Sequence, residues 1–156
     1  MQTASRAVSA RPLVRSAREP KLQSGVLAYK VCPSGKVRVL LVRTRRSKRW
    51  SIPKGGAEPN LTLAANAAKE AFEEAGVIGE IEADSIGMFR TTKRAWYGEA
   101  LLEIWVYRLR VTEQADHWPE EGDREVKWVS CREAARILHE PLLSELCRGL
   151  RRKALS

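Results

Sequence analysis

Glu70, Glu73 and Glu74 stand at i, i+3 and i+4 in Leu61–Ala75, a segment without Gly or Pro and dense in Ala and Glu. Those residues favour a helix, and at about 100° per residue a helix gathers the three carboxylates on one face within about one turn. Like charges so close repel one another. A hard divalent cation removes the repulsion, and oxygen ligands are what Mg²⁺, or Mn²⁺ in its place, takes. A solvated acidic face would carry the same residues, so the spacing alone does not decide. Leu63, Ala64, Ala67, Ala68, Ala71 and Phe72 form an apolar, mostly small stripe on the other side, which lets the helix lie close to a sheet.

The segment before the helix tips the balance. Ser51-Ile52-Pro53-Lys54-Gly55-Gly56 runs into it, and its glycines free the backbone to approach a ligand or turn a carbonyl towards a metal. Lys54 adds a cation where phosphates would sit. A phosphate-contacting loop that leads into a carboxylate cluster is the pairing that hydrolysis of a phosphoanhydride bond requires. The charge distribution points the same way. Met1 to Gly56 hold 14 Lys or Arg against one acid, Glu19, a net +13, while the rest of the chain carries −4. A polyanionic partner is expected for the first half. Candidate phosphate clamps are Arg43, Arg45, Arg46, Lys48 and Arg49 ahead of the loop, with Lys93 and Arg94 in a later connection.

These residues must be positioned by a mixed set of elements. Gly25–Val31 and Val37–Arg43 are rich in branched side chains and flank Pro33-Ser34-Gly35, so they read as a hairpin. Trp50–Pro53 reads as a short extended piece and Gly76 as the helix C-cap. Ile78–Met88, with an irregular middle, Leu101–Val111 and Glu125–Val129 read as strands, and Arg132–His139 and Pro141–Leu150 as helices. The expected fold is α/β, a mixed sheet covered by helices in one domain over residues 21–156. Residues 1–20 (Ser-, Ala- and Arg-rich) read as a flexible basic arm whose composition overlaps with an organelle transit peptide. No apolar run approaches the ~18 residues that span a bilayer. Cys32, Cys131 and Cys147 are unpaired in spacing and point to a reducing compartment, taken as the cytoplasm. Trp105 and Trp128 read as core; Trp50, Trp96 and Trp118 are candidates for stacking on a base.

The segment Gly55–Val77, GGAEPNLTLAANAAKEAFEEAGV, closely resembles the signature of the Nudix hydrolase family, GX5EX7REUXEEXGU with U aliphatic. Gly55, Glu70, Glu73, Glu74, Gly76 and Val77 fall on its fixed positions, and Ala71 takes the first U. Two positions depart: Leu61 replaces the first Glu and Lys69 the Arg. Lys69 lacks the bidentate fork of Arg but can pair with Glu73, and Glu58 is a candidate substitute for the missing acid. RWSIPKGGAEP, His117-Trp118-Pro119-Glu120 and REVKWVS look like the diphosphoinositol polyphosphate and diadenosine polyphosphate branch. The resemblance implies an α/β/α sandwich and a Mg²⁺-dependent pyrophosphohydrolase. Glu73 and Glu74 would be the main metal ligands, joined by the Gly55 carbonyl. Glu70 would be a further ligand or position the attacking water, Lys69 would orient the acids, and Glu121 would be the late-loop carboxylate. The expected substrate is a polyphosphorylated small molecule, a dinucleoside polyphosphate or a diphosphoinositol polyphosphate. Alternatives are removal of pyrophosphate from RNA 5′ ends and a non-catalytic binding module of the same fold. No membrane partner is expected, and the sequence leaves the oligomeric state open.

Overall fold

The computed structural model describes residues 19–154. Seven strands, β1 (Lys21–Val31), β2 (Val37–Thr44), β3 (Lys54–Gly56), β4 (Val77–Ile81), β5 (Gly87–Ala95), β6 (Gly98–Gln114) and β7 (Arg124–Ser130), form one sheet. Three helices cover it: α1 (Leu63–Ala75), α2 (Cys131–Ile137) and α3 (Pro141–Ala154). The strand order is β4-β6-β1-β2-β7, with β3 added to β1 and β5 to β6. β1 and β6 run parallel from Lys21↔Leu102 to Tyr29↔Arg110; all other pairs are antiparallel.

The central strands read as unbroken apolar runs because both of their faces are covered. Val26 and Ala28 of β1, with Leu40 and Val42 of β2, pack under Ala67, Ala71 and Ala75 of α1. Leu27, Val39 and Leu41 point the other way, into a second cluster with Ala134, Leu143, Cys147 and Leu150 of α2 and α3. The layers are therefore α1, sheet, and α2 with α3, the α/β/α sandwich expected. Cys32, Cys131 and Cys147 are not joined in a disulfide. No helix among the described residues is long and apolar enough to cross a membrane.

Local signals account for the boundaries of α1. The Thr62 hydroxyl accepts the Ala65 N–H at 3.1 Å and starts the helix at Leu63. Gly76, at φ 71°, ends it in the left-handed conformation, its N–H donating to the Phe72 carbonyl at 2.9 Å.

Four features differ from the sequence reading. Lys54–Gly56 is a strand, because its main chain pairs with Gln23–Gly25 of β1. The segment Ile78–Met88 is two strands separated by the polar stretch around Asp84, and β5 continues to Ala95. Lys93 and Arg94 thus lie on a strand and not in a connection. Backbone pairing with Ala100 and Glu99 orders them, and a mostly exposed hairpin arm has no apolar alternation to advertise it. β6 reaches 17 residues because β5 and β4 share one of its edges in turn, β5 along residues 98–106 and β4 along residues 109–114. The basic arm read over residues 1–20 falls, up to residue 18, outside the described residues; β1 begins at Lys21.

Two glycines set stability in opposite directions. A Cβ on Gly79, at the register shift between Ile78 and Gly79, would lie 1.9 Å from the Arg110 carbonyl oxygen. A Cβ on Gly149, inside α3, would meet nothing within 4 Å. Gly79→Ala is expected to cost about 1–3 kcal/mol, the usual penalty of forced overpacking. Gly149→Ala is expected to add about 0.5–1 kcal/mol through helix propensity. Urea denaturation of the two variants beside wild type checks both signs.

Candidate active site

The close packing of α1 builds the site. Glu70 lies against the β3 backbone so tightly that a Cβ on Gly55 would sit 2.1 Å from its carboxyl carbon, so any larger residue there must push the Glu70 carboxylate aside. Beneath it, the buried Asn66 donates from Nδ2 to the Ser24 hydroxyl at 2.9 Å and to the Gly55 carbonyl at 3.5 Å. This polar pair ties β1, β3 and α1 together at the loop. Burial, with Glu73 beside it, pushes the Glu70 carboxyl above its ordinary range.

Carboxylate oxygens of Glu70, Glu73 and Glu120 lie within 4.8 Å of one another. Opposite ligands of an octahedral Mg²⁺ are about 4.2 Å apart, so small side-chain movements would let the three share one cation. An all-oxygen donor set is the chemistry such a cation takes. Glu120 comes from the loop between β6 and β7. Two main-chain bonds fasten that loop to α1: Glu120 N–H to the Glu73 carbonyl at 2.9 Å and Ala115 N–H to the Gly76 carbonyl at 2.8 Å. Trp118 packs over Gly76, where a Cβ would strike its ring.

Glu74 is placed differently from its two neighbours on the helix. Its side chain is only 7% exposed and turns into the interior, where Oε1 faces Arg124 Nη2 at 3.3 Å and Oε2 accepts the Lys54 N–H at 3.3 Å. Burial pushes its carboxyl up to about 7, against the opposing pull of Arg124 and Lys54. The three signature acids stand on one side of the helix, as its periodicity requires, but not in one environment. Asn66, Ala67, Ala71, Glu74 and Ala75 form the buried side, and the sheet admits one acid because β7 brings an arginine to meet it.

The two departures from the signature meet in one network. Lys69 Nζ lies 2.5 Å from Glu58 Oε1 and 3.1 Å from Glu73 Oε1, and both acids hold the ammonium above its usual pKa. Glu58 thus accepts the bond that Leu61 cannot. Glu121 is turned away from the cluster and pairs with His117 Nδ1 at 3.0 Å; the loop carboxylate at the site is its neighbour Glu120.

Beside the acids lies a cleft of about 420 Å³. Arg43, Arg49, Lys54, Lys93 and Arg124 line it, with Glu74 and Glu140 as its acids. Burial lowers the pKa of Lys54, with Glu74 opposing. Arg43 also pairs with Glu125 at 2.7 Å and stacks on Trp50 at 4.5 Å. Arg45, Arg46 and Lys48 sit on the exposed turn after β2, outside the lining. Trp96, the most exposed large apolar residue described, caps the β5–β6 hairpin against Tyr97.

Residues 21–148 match the NUDIX domain. The chain belongs to the Nudix family. It is 33% identical over 108 residues to "Nudix hydrolase 13, mitochondrial" of Arabidopsis thaliana, covering 65% of this chain and 54% of that protein. It is 32% identical over 118 residues to diphosphoinositol polyphosphate phosphohydrolase 2 of Rattus norvegicus, covering 72% and 62%. The chain spans about half the length of the first curated relatives it matches. In structure it resembles the C. elegans Ap4A hydrolase, with TM-score 0.60 at 20% identity, over 86% of this chain and 98% of that one.

Spacing pointed to Glu70, Glu73, Gly55 and Lys54. Glu120, Arg124, Asn66 and Ser24 carried no such pointer. Asn66 left a trace as a polar residue beside Ala67 in a stripe of alanines, and Glu120 and Arg124 lay in strings read only for their family resemblance.

Glu74 gives the metal-free protein a signed pH dependence. Its folded pKa, about 7, lies above the unfolded value near 4.5, so the folded state binds the extra proton between them. Stability is then higher below that window and falls as pH rises through it. In EDTA, wild type is expected to lose stability from about pH 5 to about pH 7.5, and Glu74→Gln to lose markedly less. Urea titrations at both pH values test this, and parallel curves for the two proteins would refute it.

Proposed function

We propose that the chain is a Mg²⁺-dependent pyrophosphohydrolase that cleaves dinucleoside polyphosphates or diphosphoinositol polyphosphates. The observation that carries this reading is the carboxylate trio Glu70, Glu73 and Glu120 beside a cleft lined by five cations. Membership of a family that includes phosphoanhydride hydrolases supports it. The three acids would hold the cation, with the Gly55 carbonyl and Glu74 as further oxygen donors by the family resemblance. When bound, the cation supplies Lewis acidity towards phosphoryl oxygens and water.

The residues of the chain do the rest. Arg43, Arg49, Lys54 and Lys93 would receive the phosphates, each added charge on the substrate meeting another cation. Lys69 and Glu58 hold Glu73 in place. Glu70, wedged against Gly55, would position the attacking water. A non-catalytic binding module has no use for three acids forced together against their repulsion. The protein is assigned to the cytoplasm on this reading. The Arabidopsis relative is named mitochondrial, and a reporter fused to residues 1–20 separates the two, since import into mitochondria would overturn the cytoplasmic assignment.

The test is a phosphate-release screen with Mg²⁺ across dinucleoside polyphosphates, diphosphoinositols, triphosphorylated RNA and ADP-ribose. Glu73→Gln or Glu120→Gln is expected to lower turnover on the order of 10²-fold, as loss of a key electrostatic stabiliser does. Neutralising Arg49 and Lys93 should raise KM for the longer polyphosphates with little change in kcat. That effect should shrink as salt rises, and the same change at Arg45 and Arg46 should do much less. ADP-ribose or RNA as the best substrate would sink the substrate assignment, and wild-type turnover by both Glu variants would sink the catalytic one.

A further inference from the structure

Arg124 touches carboxylates from two different elements. Its Nη2 lies 3.3 Å from Glu74 Oε1 on α1, and its Nη1 lies 2.8 Å from Glu120 Oε1 in the loop before β7. Pairing of β7 with β2, at Arg124↔Thr44, fixes the backbone from which it reaches. The side chain is largely enclosed, at 20% exposure.

Glu120 needs such a partner. Its main chain is bonded to the end of α1, but its side chain is 34% exposed and faces two other acids within 4.8 Å. Repulsion from Glu70 and Glu73 would turn an unheld carboxylate out to water. Lys69 is committed on the other flank, to Glu58 and Glu73. Arg124 is the cation paired with Glu120, and a planar guanidinium can address two carboxylates in a fixed geometry where an ammonium cannot.

We propose that Arg124 is a positioning residue: its two-armed contact holds Glu120 against Glu70 and Glu73, so that the metal-binding trio is assembled before a cation arrives. This rests on the metal-site reading above. Arg124 also lines the cleft, and a role confined to gripping substrate phosphate predicts a different result. Simple charge makes yet another prediction, since removing a cation beside three acids should tighten the binding of a metal ion. Positioning predicts that it weakens.

Mn²⁺ binding without substrate, followed by electron paramagnetic resonance, separates these cases. Arg124→Gln is expected to weaken Mn²⁺ binding about 10-fold or more, the range seen when a residue supporting a metal ligand is lost. Arg124→Lys should recover part of the loss. Glu120→Gln should weaken binding to a similar extent, and the double variant should be no weaker than Glu120→Gln alone, because Arg124 acts through Glu120. Unchanged or tighter binding in Arg124→Gln, or a loss that persists undiminished in the Glu120→Gln background, overturns the proposal. If Arg124→Gln does not melt cooperatively, Arg124→Lys carries the test, and wild-type affinity in that variant overturns it. Failure of the wild-type protein to bind Mn²⁺, or binding indifferent to Glu73→Gln, sinks the metal-site reading itself.

Discussion

The closeness with which α1 lies on the sheet is the constraint from which the site follows. Ala67, Ala71 and Ala75, all fully buried, let the helix settle onto Val26 and Ala28 of β1. A larger residue at any of these positions would lift the helix and force the core to repack. The same depth wedges Glu70 against Gly55, brings Asn66 within reach of Ser24 and carries Glu74 into the interior. The geometry proposed for the site is thus a by-product of small side chains on the sheet-facing side of the helix.

Gathering so many acids has an electrostatic cost, and cations from separate elements offset it. Lys69 bridges Glu58 and Glu73 on the outer flank, while Arg124 bridges Glu74 and Glu120 on the inner one. The compensation is incomplete, since the Glu70 and Glu74 carboxyls both stay above their ordinary range through burial. A site in that condition favours protonation or a bound cation. The replacement of the signature Arg by Lys69 is accommodated because Glu58, on the turn before the helix, supplies the second acid that the ammonium contacts.

The basic surplus of the first half of the chain is divided by the fold. Arg43, Arg49 and Lys54 line the cleft, whereas the exposed Arg45, Arg46 and Lys48, on the turn after β2, are not part of its lining. Lys93 and Arg124, more distant in sequence, complete the lining because β5 and β7, on opposite edges of the sheet, bring them to the same end of the strands.

The sequence by itself determined the fold class, the acidic helix with its C-cap Gly76, and the place of Gly55 ahead of it. Each of these rests on local signals: apolar runs, helix propensity, a capping glycine, and fixed spacing within 23 residues. Glu58 was legible as a substitute for the acid missing at Leu61, because it lies only three residues before it; its bond to Lys69 came with the fold. Only the tertiary structure decided that Glu74 turns inward, that Glu120 and not Glu121 joins Glu70 and Glu73, and that Arg124 serves both. Those facts depend on how the loop before β7 is fastened to α1 and on the register of β7 against β2. Adjacent residues in a loop are equivalent by type, and a single main-chain bond chooses between them; no pattern along the chain encodes that bond.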